Sequence, residues 1–225
     1  MAAEQGDSEA QFNVGLYYDI GQGVLKDYAE AFRWYKMSAA QEHAPALHNL
    51  GILYSKGEGV LQDYAEAFRW FKLAAAQRYA PAQYNLGYLY SKGNGVLQDY
   101  AEAFRWYKLA AAQENATAQY NLGKMYYDGE GVLQDYAEAF RWFKLAAAQR
   151  YASAQYNLGK MYYDGQGVLQ DYLQAHMWMN LAAVSGDKDA QKARDVIAAK
   201  MTSQQIGKAQ TMAKKCLASK YNDCE

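Results

Sequence analysis

The string VLQDYAEAFRWFKLAAAQRYA stands at residues 60–80 and again, letter for letter, at 132–152. Between the two copies, residues 96–113 read VLQDYAEAFRWYKLAAAQ, with Tyr107 where the flanking copies have Phe71 and Phe143. Aligned with itself, the chain brings Gly15, Gly51, Gly87, Gly123 and Gly159 into register, and likewise Trp34, Trp70, Trp106, Trp142 and Trp178, at a constant step of 36 residues. A fixed period in this range requires stacked supersecondary units, because a single unit cannot cover its own apolar face. Five repeats are predicted at 10–45, 46–81, 82–117, 118–153 and 154–189. Residues 1–9 precede them and residues 190–225 follow as C-terminal capping helices.

Each unit reads as two helices. The first, as in PAQYNLGYLYSK (81–92), is expected to end where Gly93 and Gly95 can adopt positive φ without a Cβ clash. The second starts after Asp99, a plausible N-cap, with Glu102 three residues on in the capping-box pattern. Ala103, Trp106, Tyr107 and Ala110 then follow at i, i+3, i+4 and i+7, one face of a helix. Glu102 and Arg105 are spaced to pair weakly in solvent. The expected fold is all-α, an α-solenoid of 36-residue αα-hairpins. At the N-terminal side AAEQGDSEA (2–10) aligns with AAAQRYAPA (74–82), so the chain is expected to open inside the second helix of a preceding repeat. It would then be either a fragment of a longer array or a processed form. After Ala190 the pattern decays into a helix over DAQKARDVIAAKM and a last one capped by Thr202 with Gln205.

The recurring pattern AxAQYNLGxxYxxGxGVxQDYxxAxxWxxxAA, complete at 116–147, resembles the Sel-one-like repeat family, relatives of tetratricopeptide repeats. The resemblance covers about residues 2–190. It implies a right-handed superhelix that acts as an adaptor or protein-binding scaffold, with the first helices on the concave wall. It also implies a bacterial and often exported setting, periplasmic or secreted, although a cytoplasmic one stays open. One departure is visible. The family often has Gly after the second helix, as in EQGDS and VSGDK, but Glu42, Arg78, Glu114 and Arg150 stand there here. Those turns are either tighter in helical geometry or strained.

Composition bears on what such an array can bind. Lys and Arg number 23 against 24 Asp and Glu, a net charge of −1, so no broad basic surface for nucleic acid or an anionic membrane is expected. No apolar run reaches the length of a membrane span. GEGVLQ lacks both the preceding strand and the third glycine of a dinucleotide loop. His43, His48 and His176 share no metal-ligand spacing. SGDK (185–188) matches the Ser-x-x-Lys of penicillin-recognising enzymes, to which cysteine-rich relatives in the resembled family have been linked, but no SDN or KTG accompanies it. Carboxylates recur as caps and solvent-face residues rather than as one unique pair. The expectation is a non-enzymatic chain with no cofactor and no metal. The alternatives are a cell-wall or β-lactam hydrolase and a purely structural spacer array.

Comparison of the five repeats with one another points to the binding surface. In the first helix the third, seventh, tenth and eleventh columns vary, whereas the first, fifth, eighth and ninth stay apolar or aromatic. At about 100° per residue these sets lie on opposite faces. The variable stripe, rich in tyrosine, supplies the candidate protein-binding residues Tyr84, Tyr88, Tyr120, Lys124, Tyr127, Tyr156, Lys160 and Tyr163. Tyrosine offers large contact area with few rotatable bonds. The alternative is that these rings drift or pack between repeats. At the edge of the stripe lies an invariant amide column that includes Asn85, Asn121 and Asn157, open to two roles: clamping a peptide backbone or satisfying neighbouring carbonyls. The expected partner is a protein or peptide, with end-to-end self-association as a further possibility. Cys216 and Cys224, the two cysteines of the chain, are either reduced thiols or a disulfide that ties the tail to its helix; the disulfide would imply an oxidising compartment.

Overall fold

The computed structural model describes residues 2–184, 186–221 and 223–224. It divides into two compact units, residues 1–113 and 114–225. The first holds α1 (Ser8–Ile20), α2 (Tyr28–Ala39), α3 (Ala44–Lys56), α4 (Tyr64–Ala76), α5 (Ala80–Lys92) and α6 (Tyr100–Ala111). The second holds α7 (Ala116–Asp128), α8 (Tyr136–Ala148), α9 (Ala152–Asp164), α10 (Tyr172–Ala183), α11 (Lys188–Ala198) and α12 (Ser203–Ala218). Within each unit successive helices pack as αα-hairpins, and each hairpin stacks on the next. The fold is an all-α solenoid.

Local sequence explains the ends of each helix. Asp27, Asp63, Asp99, Asp135 and Asp171 each accept two backbone N–H groups at the start of a second helix. The expected reach-back of the first-turn glutamate, three residues after the cap, is replaced by an ion pair. Glu30 and Glu66 bind Arg33 and Arg69 at 2.6 Å, and Glu102 binds Arg105 in the same way. A complete capping box occurs at Thr202 and Gln205, where no arginine competes. The first helices end on left-handed glycines such as Gly93, φ 70°. The loop then folds back: the Asp99 N–H donates to the Tyr90 carbonyl at 3.0 Å, and Gln98 Nε2 donates to the Ser91 carbonyl at 2.8 Å.

Each hairpin begins at residues 8, 44, 80, 116 and 152, two residues ahead of the boundaries drawn from self-alignment. A repeated string determines the period but not its phase; the turn before each first helix sets the phase. Residues 2–6, read as the end of a preceding helix, form turns, with Gln5 N–H bonded to the Ala2 carbonyl. At the other end the period outlasts the sequence pattern. Ala190 and Ile197, each 36 residues beyond Ala154 and Met161, are buried to 0% and 2% exposure. Thus α11 packs on α10 as a further first helix. α12 also packs on α10, covering Leu181 (2% exposed), whereas the equivalent Leu73 in the first unit is 53% exposed. Cys216 and Cys224 are joined as a disulfide with Cα atoms 4.4 Å apart.

The core is a run of alanines and leucines. Leu50 and Leu86 are fully buried in the first unit and Leu158 in the second. Trp70 and Trp106 pack against the first unit's core, and Trp178 is buried in the second. The turns without glycine are strained. Glu42, Arg78, Glu114 and Arg150 take φ of 60°, 61°, 61° and 67°, a region that costs a residue with a Cβ roughly 1–2 kcal/mol. Glycine there relieves the clash and returns part of the gain as chain entropy. Replacing Glu42 and Arg78 together by glycine is therefore expected to raise stability by about 1 kcal/mol, measured as the midpoint of urea denaturation.

Candidate protein-binding site

The variable columns of the first helices are not wholly outward: Phe12 and Ile52 pack against the core of the first unit, Tyr120 and Tyr127 against that of the second, and His48 is itself buried. Their exposure is graded. Tyr88, Lys124 and Lys160 are exposed, whereas Tyr84, Tyr120, Tyr127, Tyr156 and Tyr163 are half-buried. The half-buried rings lean on neighbouring aromatic rings. Tyr84 lies 5.9 Å from Tyr107, and Tyr120 lies 5.7 Å from Phe143 and 5.0 Å from Tyr151. Each such tyrosine has one side packed and one side turned outward. Burial raises the Tyr120 phenol above the ordinary range, partly offset by its hydrogen bond with Asn157.

In the first unit the site residues Tyr84, Asn85 and Tyr88 sit on α5. Asn85 Nδ2 donates to Nε2 of His48 at 2.9 Å, and His48 Nδ1 lies 3.3 Å from the Asn49 Oδ1. Such a pair of partners needs a neutral imidazole with its proton on Nδ1. Burial holds His48 down to about 4, from 6.5. The unfolded chain therefore takes up a proton below about pH 6.5 that the folded chain refuses until about pH 4. The stabilising contribution is complete above pH 6.5 and is lost as pH falls through that interval, by on the order of 3 kcal/mol. His48→Tyr, which installs the residue of the following repeats, is expected to flatten the dependence of the urea midpoint on pH between 4 and 6.5 (about the span of the two values).

In the second unit the predicted residues converge. Tyr120, Lys124, Tyr127, Asn157 and Lys160, with Asp128 and Phe143, line one cleft of about 180 Å³. Tyr156, Lys160 and Tyr163 line a second of about 250 Å³ together with Asp164, Met179, Ala193, Val196 and Ile197. Tyr120, Tyr156 and Asn157 meet Ser153, Asp187 and Asp189 around a third of about 290 Å³. The clefts adjoin, since Lys160 lines the first two and Tyr156 the last two. Side-chain pairs hold the walls: Tyr127 donates its hydroxyl to Gln166 Oε1 at 2.7 Å, the Lys160 ammonium lies 5.4 Å from the Tyr127 ring centroid, and Lys200 lies 4.6 Å from that of Tyr163. The hydrogen bond to Tyr127 is the main reason the Lys160 ammonium holds its proton above the ordinary range.

The invariant amides divide between roles. Asn85 is bound to His48, and Asn121 Nδ2 donates to the Thr117 carbonyl one turn back at 2.9 Å. Asn157 reaches Tyr120 and also walls two clefts. Three features escaped the sequence reading. Glutamine pairs, one partner buried and the other exposed, tie the end of a hairpin back to its own first helix, with Gln113 Nε2 donating to Gln83 Oε1 at 2.7 Å and Gln149 Nε2 to Gln119 Oε1 at 2.8 Å; glutamines recurring at a 36-residue step in most repeats were the available signal. Val196 and Ile197 of α11 complete the second cleft, and Val196 stands 36 residues beyond Lys160. Finally, Leu25, Leu61, Leu97, Leu133 and Leu169 in the interhelical loops are 89–91% exposed, because the next residue in most of these loops, glutamine, turns back to bind the first helix. Of the SGDK string, Ser185 lies outside the described residues. Among the described residues no group of three or more His, Cys, Asp and Glu side chains is arranged to hold a metal ion, and no helix is long and apolar enough to cross a membrane.

Hairpins stacked at a 36-residue period, with a constant set of core columns and a changing set beside it, define a helical-repeat protein. The Sel1 repeat profile matches residues 8–43, 44–79, 80–115, 116–151 and 152–187, and the chain belongs to that family. Its members are typically protein–protein interaction scaffolds and generally not catalysts. Among solved structures it is similar to a protective antigen of uropathogenic Escherichia coli with an SLR fold, at 37% identity and a TM-score of 0.86 over 99% of this chain and 48% of that one. It thus spans about half the length of that antigen. It is also similar to a Sel1 repeat protein of Oxalobacter formigenes, at 36% identity and a TM-score of 0.81 over 94% and 89% of the two chains. A putative Sel1 repeat protein of Klebsiella pneumoniae, at 24% identity and a TM-score of 0.58 over 88% and 96%, shares the fold. No curated protein sequence matches the chain.

Proposed function

We propose that the chain is a non-enzymatic scaffold that docks a protein or peptide on the face formed by the first helix of each hairpin. The observation that carries this reading is the set of three adjoining clefts on α7, α9 and α11, walled largely by columns that change between repeats. Constant columns maintain most of the stacking, so a change at an exposed variable position such as Tyr88, Lys124 or Lys160 alters what is bound without disturbing the fold. Half-buried tyrosines suit this role, since their packed side has already lost rotamer freedom before a partner arrives. The setting proposed is the bacterial periplasm or exterior, where the Cys216–Cys224 disulfide would persist.

A photo-crosslinking residue placed at Tyr88 or at Lys124, and as controls at Lys72 and Lys108 on second helices, tests the docking face in extracts of the producing cell. Discrete crosslinked products are expected from the first-helix positions and not from the controls. Equal products from both sets, or products from the controls alone, would overturn the assignment.

A further inference from the structure

The clefts of the second unit differ in chemistry, and the difference specifies a ligand. The α7–α9 cleft presents the ammonium groups of Lys124 and Lys160 beside the Asn157 amide. Asp128 is the acidic side chain on its wall and stands 3.9 Å from Lys124; Asp164 acts on Lys160 from the adjoining cleft, so this cleft itself is lined by two ammonium groups and one carboxylate. The Lys160 ammonium stands against the Tyr127 ring, where neighbouring protein excludes part of the water and an incoming anion is felt more strongly. Directly beside it, the α9–α11 cleft is apolar on most of its wall, with Met179, Ala193, Val196 and Ile197 between the rings of Tyr156 and Tyr163. Its volume of about 250 Å³ suits one large aliphatic or aromatic side chain. The first unit carries Leu16, Ile52 and Tyr88 in the column that holds Lys124 and Lys160, so this pairing of an ammonium cleft with an apolar one belongs to the second unit.

We propose that these two clefts read an extended peptide segment in which an acidic side chain stands beside a large apolar one on the same face. The carboxylate lies between Lys124 and Lys160, and the apolar side chain rests against Val196 and Ile197. Residues two apart in an extended chain share a face and are spaced about 6.5–7 Å, so a single strand can serve both clefts about the shared Lys160. The inference rests on the docking reading above and narrows it to a ligand class.

Panning a phage-displayed library of random dodecapeptides on the full chain, followed by fluorescence anisotropy with the enriched peptides, tests it. Enriched sequences are expected to share Asp or Glu two positions from Leu, Met or Phe. Lys160→Gln is expected to weaken binding about tenfold, and changing the peptide's acid to its amide should cost nothing further in that variant, the mark of a direct contact. Val196→Glu, at a position 58% exposed and so tolerant of charge, is expected to weaken binding by a similar factor; circular dichroism checks that both variants fold. Enriched peptides without the acid–apolar pair, or binding indifferent to Lys160→Gln and Val196→Glu, would overturn the inference and leave the docking face standing. A library that yields no binder to the folded chain would overturn both.

Discussion

Replacing Gly95 by alanine is expected to destabilise the first unit by roughly 3 kcal/mol or more, an unusually large effect for one exposed loop methyl group. Two causes combine. Gly95 has φ of 70°, and a Cβ on it would sit 2.3 Å from the carbonyl carbon and oxygen of Tyr64 and 2.7 Å from the Ala65 nitrogen. The obstructing atoms are backbone at the start of α4, held in place by the Asp63 cap, so no rotamer change relieves the clash. The loop after one first helix must therefore lift away from the second helix of the preceding repeat, which loosens the junction on which the stacking depends. Gly93→Ala is the matching control. Its φ is also 70°, but its Cβ would meet the Gln98 side chain at 3.2 Å, and a loss of about 1–2 kcal/mol is expected. Urea midpoints for the two variants, with hydrogen exchange at residues 64–66, check the difference. Equal midpoints would mean that the close approach at Gly95 carries no stability.

The second large effect is at the C-terminus. Cys216 and Cys224, eight residues apart, close a small loop whose cross-link is worth about 2–3 kcal/mol in the chain-entropy account. Within that loop Tyr221 stacks beneath the Arg150 guanidinium, at 5.8 Å, and Asp223 binds Lys215 at 2.8 Å. The same tail lines a pocket of about 290 Å³ with Phe140, Leu158 and Trp178. Cys224→Ala removes the bond at its half-buried side and leaves the buried Cys216 sulfur packed (0% exposed). Its melting temperature is expected to fall by about 5–10 °C, with a red shift in tryptophan emission as the cover over Trp178 loosens. Adding a reductant to the unaltered chain should reproduce both changes and leave the variant unaffected. An unchanged melting temperature in the variant would show that the tail contributes nothing to the closure of the second unit.

Much of the architecture was legible because it is local and repeated. Asp99 before an apolar-periodic run and Gly93 after one specify where helices start and stop, and the 36-residue step specifies that hairpins stack. The strain at Arg78 was half legible: a missing glycine announced a problem, but only the positive φ showed which way the turn resolved it. The phase of the repeats was not legible, since a period has no origin. Nor was the continuation through α11, whose letters depart from the pattern while Ala190 and Ile197 keep the two buried places that matter.

The candidate site shows the same division. Two-faced first helices and the identity of the variable columns followed from comparing repeats. The distinction between Tyr88, open to solvent, and Tyr84, leaning on Tyr107, did not, because it depends on a ring from another helix. By itself, then, the sequence determined the helices, their caps, the stacking period and the face free to vary, all of which rest on intervals along one chain. Only the tertiary structure decided that Lys124 and Lys160 share one cleft, that Met179 and Ile197 make its neighbour apolar, and that Asn85 is held by His48. Those facts depend on side chains brought together from separate helices, where packing distance rather than sequence spacing sets who meets whom.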